Sequence, residues 1–403
     1  MNRPHRRSAA PRVSAGLLTA ALLAGCASAP DRSQEPEEGG ATPHGYVEGA
    51  EETAEPQSRL VIADAEGPVQ VLDLITGEST LLDPVGKVDG ITGDGRFAHL
   101  VSSDERMTTV IDSGVWTVDH GDHVHYYRAD VRPAGTVEGV AAQNAATDTA
   151  LTALTDGRGA LSLLDRPALE EGAVEPVTSS LDGTDPAVAA PYGGAVVTAA
   201  ADGVHVDDRS GERVQALGGE CTAPQGQATT RRGLVIGCDE GAFLVTEDDG
   251  EFTGELLPHP DDLPENARPE GFHHRPGAAA LATVPAPDTV LVLDLSEPRW
   301  DHWELPGVVS VAAIGEGASV LALTEDGTLH SFDPRTGEES AATPLLDRVD
   351  TEDPPTLRVD TSRAYVNDVH GGLVHEIDYN DDLRVARTFE TEVAPRHMVE
   401  TGR

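Results

Sequence analysis

The sequence predicts an all-β chain: a single β-propeller of about eight blades, with seven allowed if one hairpin is shared between the termini. Three observations carry this. Pairs of short apolar strands around an Asp/Glu/Gly turn recur along the chain, their starts about 38 to 53 residues apart. Several pairs continue into a further turn and strand, as in "DLITGESTLLD", "DRSGERVQAL" and "DPRTGEESAATPL". No stretch sustains a helical period, and proline and glycine are scattered throughout. Three or four strands per unit at such a spacing is the mark of propeller blades.

The repeated hairpins read in order as follows. "RLVIADAEGPVQVLDL" starts at Arg59 and "FAHLVSSDERMTTVID" at Phe97, followed by "ALTALTDGRGALSLLD" from Ala150 and "GAVVTAAADGVHVDD" from Gly194. "GLVIGCDEGAFLVTE" begins at Gly233 and "AALATVPAPDTVLVLDL" at Ala279. The last two are "SVLALTEDGTLHSFD" from Ser319 and "RAYVNDVHGGLVHEIDY" from Arg363. Each is mostly apolar, as strands covered on both faces must be. Asp-Gly pairs supply the positive φ of tight hairpins. One unit cannot bury its own faces, so residues 58–403 are expected to close as one domain.

The chain begins with Arg3, Arg6, Arg7 and Arg12, then the apolar run "VSAGLLTAALLAG" and Cys26. A basic head and a short apolar core describe an export signal over residues 1–25. "Leu23-Ala24-Gly25-Cys26" fits a lipobox, which would lipidate Cys26; ordinary cleavage after "ASA" is the alternative. The expected location is the extracytoplasmic face of the cell membrane, with no other segment long enough to span it. Residues 26–57, rich in Pro, Gly, Ser and Glu, read as a flexible acidic linker.

Formal charge is −42, and the basic residues are nearly all arginine, with Lys87 the single lysine. Such a chain repels nucleic acid and anionic lipid, so no nucleic-acid partner is expected, and cations are attracted without selectivity. Outside Cys26 only Cys221 and Cys238 remain. In an oxidising compartment these two are expected to pair, closing a loop worth about 3 kcal/mol.

Fold says nothing about activity, so function has to come from a site. The chain lacks a Gly-x-Ser-x-Gly elbow, a His-Glu-x-x-His pair, a phosphate-cradling loop and a dinucleotide fingerprint. The acidic turns "EDDGEFTGE" and "DYNDDL" lack EF-hand spacing. Catalysis is not expected. What stands out is "VWTVDHGDHVHYYR" from Val115 to Arg128, after the second hairpin, where an outer strand or its exit loop is expected. On a strand, His123 and His125 project to one side, and two imidazoles so placed share an ion such as zinc. Asp122 and Tyr127 are near enough to orient the rings, and His120 joins them if the Gly121 turn folds it back. The bland reading is a polar strand end.

Zinc needs a third ligand, for which His273 ("EGFHHRPG") and Gln225 ("CTAPQGQA") are candidates on inner strands, where different blades converge. His205, His302, His330, His370 and His375 sit in hairpins or at their edges and read as structural.

"GVWTVDHGDHVHYYRAD" resembles the signature of AztD-type zinc metallochaperones, extracytoplasmic propellers that deliver zinc to the solute-binding protein of an ABC importer. "GECTAP" with "GLVIGCDEGAFLV", and the closing "AYVNDVHGGLVHEIDYNDDLRVARTFETEVAPRHMVETGR", carry the resemblance along 58–403. It implies a propeller fold, a periplasmic or cell-surface location and a Zn²⁺ site containing His123 and His125, in a lipoprotein member of the family; a monomer is expected. The chain departs from the family at Gln225, where a histidine is usual, and in "TDPAVAAPYG" (Thr184–Gly193), which has none. Its linker has only His44. Asp185, Gln225 or His273 would then complete the site. The alternative is a cell-surface interaction scaffold without metal.

Overall fold

The computed structural model describes residues 47, 49–120, 123–179, 181, 185–264, 267–269 and 271–402. The signal segment, Cys26, Asp122 and most of the linker lie outside these residues. Within the unit His44–Arg403 the chain forms eight antiparallel sheets arranged as blades, plus one small three-stranded sheet. Each of the eight predicted hairpins forms the two middle strands of one blade, from Arg59–Ala63 with Val69–Asp73 to Ala364–Asp368 with Leu373–Asp378.

A strand before each hairpin lies innermost and one after it outermost, as in blade three: Asn144–Thr147, Leu151–Thr155, Leu161–Asp165, Pro176–Thr178. Two blades depart from this. In blade six the inner position is taken by His273, bridging Ala282. In blade one it is taken by the C-terminal strand His397–Thr401, paired with Arg59–Ala63 from Arg59↔Thr401 to Ala63↔His397. One blade is therefore shared between the two ends of the chain, and the count is still eight.

The strand period of two explains how the ring coheres. In Arg59–Ala63, Leu60 and Ile62 join Tyr365, Val374 and Phe389 of blade eight. Their neighbours Val61 and Ala63 join Ala98, Leu100 and Ile111 of blade two. The same alternation yields one apolar cluster at every blade-to-blade interface, eight in a closed cycle. Burying one such Leu or Ile contributes about 1.5–3 kcal/mol, so the hydrophobic interfaces far outweigh any single polar contact. Cys221 and Cys238 are disulfide-bonded within the interface of blades four and five. The only helix among the described residues is Arg166–Glu170, and none is long and apolar enough to cross a membrane.

Two expectations change. The outer strand of blade two is Arg132–Glu138, not the histidine segment. Val115–Asp119 and Val124–Arg128 instead form their own hairpin, inserted before that outer strand. Regular structure also begins before Ser58. Glu51–Thr53, expected as linker, is a strand on the free edge of this insert hairpin.

Closure by the C-terminal strand is testable. Met398 is fully buried opposite Ile62, so Met398→Ala should cost about 2–5 kcal/mol in denaturant unfolding. Val214→Ala, at a side chain 67% exposed, should stay within about 0.5 kcal/mol. Equal effects would contradict the closure.

Candidate metal centre

The insert hairpin pairs Val115↔Arg128, Trp116↔Tyr127, Val118↔His125 and Asp119↔Val124. His120 N–H then donates to His123 C=O at 3.0 Å, closing the hairpin end. Because facing residues alternate sides, one face carries Trp116, Val118 and His120 from the first strand and Tyr127, His125 and His123 from the return. Register alone thus places three imidazoles together. Their ring centroids lie 4.8, 5.3 and 4.9 Å apart. One nitrogen from each falls within 4.8 Å of the others, the only such group of His, Cys, Asp or Glu found among the described residues. His120 and His123 are exposed and His125 is half-buried.

The rest of that face is braced against the propeller. Arg96, fully buried in blade two, donates through Nε and Nη2 to Asp112 at 3.0 and 2.8 Å. Its guanidinium lies over the Trp116 ring, 3.8 Å from the centroid, a contact worth about 0.5–2 kcal/mol. Trp116 stacks on buried Tyr127 at 5.4 Å, and Tyr127 on His125 at 6.3 Å. Gly114 roots the hairpin: its φ is +71°, and a Cβ there would lie 2.4 Å from the Ala129 carbonyl. Arg59 Nη1 donates to the carbonyls of Ser113 and Ala129 on both sides of that root. Thr117 Oγ1 donates to the Gly402 carbonyl at 2.7 Å, tying the hairpin to the end of the closing strand.

The fourth side of the cluster comes from the strand Glu51–Thr53. Pairing Glu52↔Tyr127 puts Glu52 on the histidine face, where its Oε1 lies 2.7 Å from His125 Nδ1. The sequence reading missed Glu52 because a three-residue strand in an acidic, Pro-rich linker carries no pattern of its own.

The other expected ligands are elsewhere. His273 lines an axial cavity of about 440 Å³ together with inner strands of blades one, two, three, five and eight. Its ring meets solvent in the channel but is surrounded by protein. Desolvation, with Arg358 adding to it, pulls its pKa down to about 4. Gln225 begins the inner strand of blade five, its Nε2 donating to the Pro269 carbonyl at 3.0 Å. Asp185 precedes the inner strand of blade four, packed beside Gly159 in the turn of blade three. None of the three joins the imidazole group. The reason is topological: inner strands point their residues to the axis, whereas the histidine hairpin leaves blade two just before its outer strand. The third imidazole is His120, expected as a neighbour that reaches the pair if the turn at Gly121 folds it back.

A zinc ion about 2.0–2.1 Å from each nitrogen in tetrahedral geometry requires nitrogens about 3.4 Å apart. Rotation of exposed imidazoles covers the remaining distance, and three nitrogens leave a fourth position at the solvent edge. Neutral imidazoles of intermediate softness suit zinc, and both cysteines of the propeller are committed to each other. The residues fit the ion.

Sequence comparison finds neither a matching protein-family profile nor a matching curated protein. Solved structures are similar in fold. Two structures of AztD from Citrobacter koseri, one of them apo, superpose with TM-score 0.72 at 21% identity, covering 86% of this chain and 98% of that one. The dihydro-heme d1 dehydrogenase NirN gives TM-score 0.56 at 15% identity, over 87% of this chain and 76% of its own. Saccharomyces cerevisiae Sqt1 gives 0.53 at 13%, over 76% and 89%. The chain has the AztD-type β-propeller fold.

Proposed function

We propose that the chain is an extracytoplasmic zinc-binding protein of the metallochaperone kind, which passes zinc to the solute-binding protein of an ABC importer. The observation that carries this is the group His120, His123 and His125 at the free end of a braced hairpin. A propeller frame also carries a dehydrogenase, as NirN shows, so the reading rests on the hairpin and not on the ring. Sequence likeness to AztD-type metallochaperones and the shared fold support it.

The geometry suits a carrier. A structural zinc site is closed by four protein ligands; this one offers three and leaves a position for an incoming donor. Exposure of His120 and His123 lets a partner's side chain approach the ion while His125 still holds it. The formal charge of −42 concentrates cations near the surface without choosing among them, so selection falls to the imidazoles. Lipidation at Cys26 would keep a monomeric propeller at the membrane, within reach of an importer.

Zinc titration of tag-free mature protein under chelator competition tests this. The expected result is one equivalent bound more tightly than micromolar, lost in His123→Ala/His125→Ala. Binding unchanged in that double variant, or no binding at all in the wild type, overturns the assignment and favours a scaffold without metal.

The channel histidine separates two geometries. His273→Ala should leave zinc affinity within about twofold, since it removes no ligand. A drop of more than tenfold on the same titration would move the site to the axis.

A further inference from the structure

We propose that Glu52 is a positioning residue that fixes His125 in one tautomer and so makes it a zinc ligand through Nε2; the inference rests on the zinc reading above. Glu52 lies outside the propeller repeat, on the short strand Glu51–Thr53 that docks on the free edge of Val124–Arg128. The contact is specific: Glu52 Oε1 lies 2.7 Å from His125 Nδ1, with side chains 48% and 25% exposed.

The chemistry follows from what each group can do. An ionised carboxylate only accepts, so the imidazole must present Nδ1–H to it. In a neutral ring the lone pair is then on Nε2, the only nitrogen left for a metal. Histidine ligands held in this way by carboxylates are more basic and are fixed in orientation. Stacking on Tyr127 at 6.3 Å holds the plane of the ring, and Glu52 fixes which edge turns to the ion. The two constraints are different: packing does not choose a tautomer, and a hydrogen bond does.

The carboxylate is delivered by a weakly held element. The strand has three residues, two of them exposed. Its flanking ion pair, Glu51 with Arg128 at 3.4 Å, is open to water and so adds at most about 1 kcal/mol. The strand therefore contributes to the grip on the ion, and that contribution is lost wherever it leaves the edge.

The test uses the full mature chain with two readouts. In metal-free protein, nitrogen chemical shifts of the His125 ring should report Nδ1–H in the wild type. They should report a shift toward Nε2–H in Glu52→Ala. Chelator competition with zinc alone should show affinity about 10–100-fold lower in Glu52→Ala. Glu52→Gln, whose amide can accept from Nδ1–H or donate to a bare Nδ1, should hold the tautomer less firmly than the wild type and recover part of the affinity. An unchanged tautomer together with unchanged affinity in Glu52→Ala overturns the proposal. Absence of zinc binding in the wild type overturns the site instead, and the metal-free tautomer measurement still decides the role of Glu52. A merely structural role would lower affinity in both variants alike and leave the tautomer unmoved, which also counts against the proposal.

Discussion

The constraint on which the site depends is the register of one hairpin. Trp116 opposite Tyr127 and Val118 opposite His125 commit every second residue to the same face, and His120 and His123 follow at the closing end. A slip by one residue would send the imidazoles to opposite faces. The register is held where slippage would be most expensive. Trp116 is clamped between the buried Arg96–Asp112 pair and the Tyr127 ring, so moving it would uncover an apolar ring and take from a buried cation the nearer of its two π-faces.

The propeller supplies what the hairpin lacks. A two-stranded hairpin alone is marginal in water, and the three-stranded sheet here has few apolar partners of its own. Eight interfaces of alternating side chains make the ring rigid. The hairpin is anchored to two blades at once, through Arg59 of blade one and Arg96 of blade two. The closing strand also reaches it, through Gly402. The imidazole group at the end of the hairpin is thus mounted on a base tied to two blades and to the closing strand.

Much of this was legible in the residues. All eight hairpins show in the sequence because strands packed on both faces are apolar almost throughout, and the turns between them need Asp and Gly. The largest spacing, from Phe97 to Ala150, is where the insert hairpin fits. His123 and His125 on one face follow from a period of two. The rest was hidden for physical reasons. His120 joins only because the hairpin reverses between positions 120 and 123, and reversal is a matter of turn geometry. Glu52 joins through backbone pairing across more than seventy residues, which side-chain pattern does not encode. His273 and Gln225 were tied to the site by the convergence of inner strands, and Asp185 by analogy with a family arrangement. The topology sends His273 to the axis and leaves the other two at the entrances of blades five and four.

The most direct measurement of the central claim is the X-ray absorption fine structure of tag-free protein carrying one equivalent of zinc. Three imidazole nitrogens at about 2.0–2.1 Å, with a fourth oxygen or nitrogen donor, are predicted. A shell containing sulfur at about 2.3 Å, or one of oxygen alone with no imidazole scattering, would contradict it.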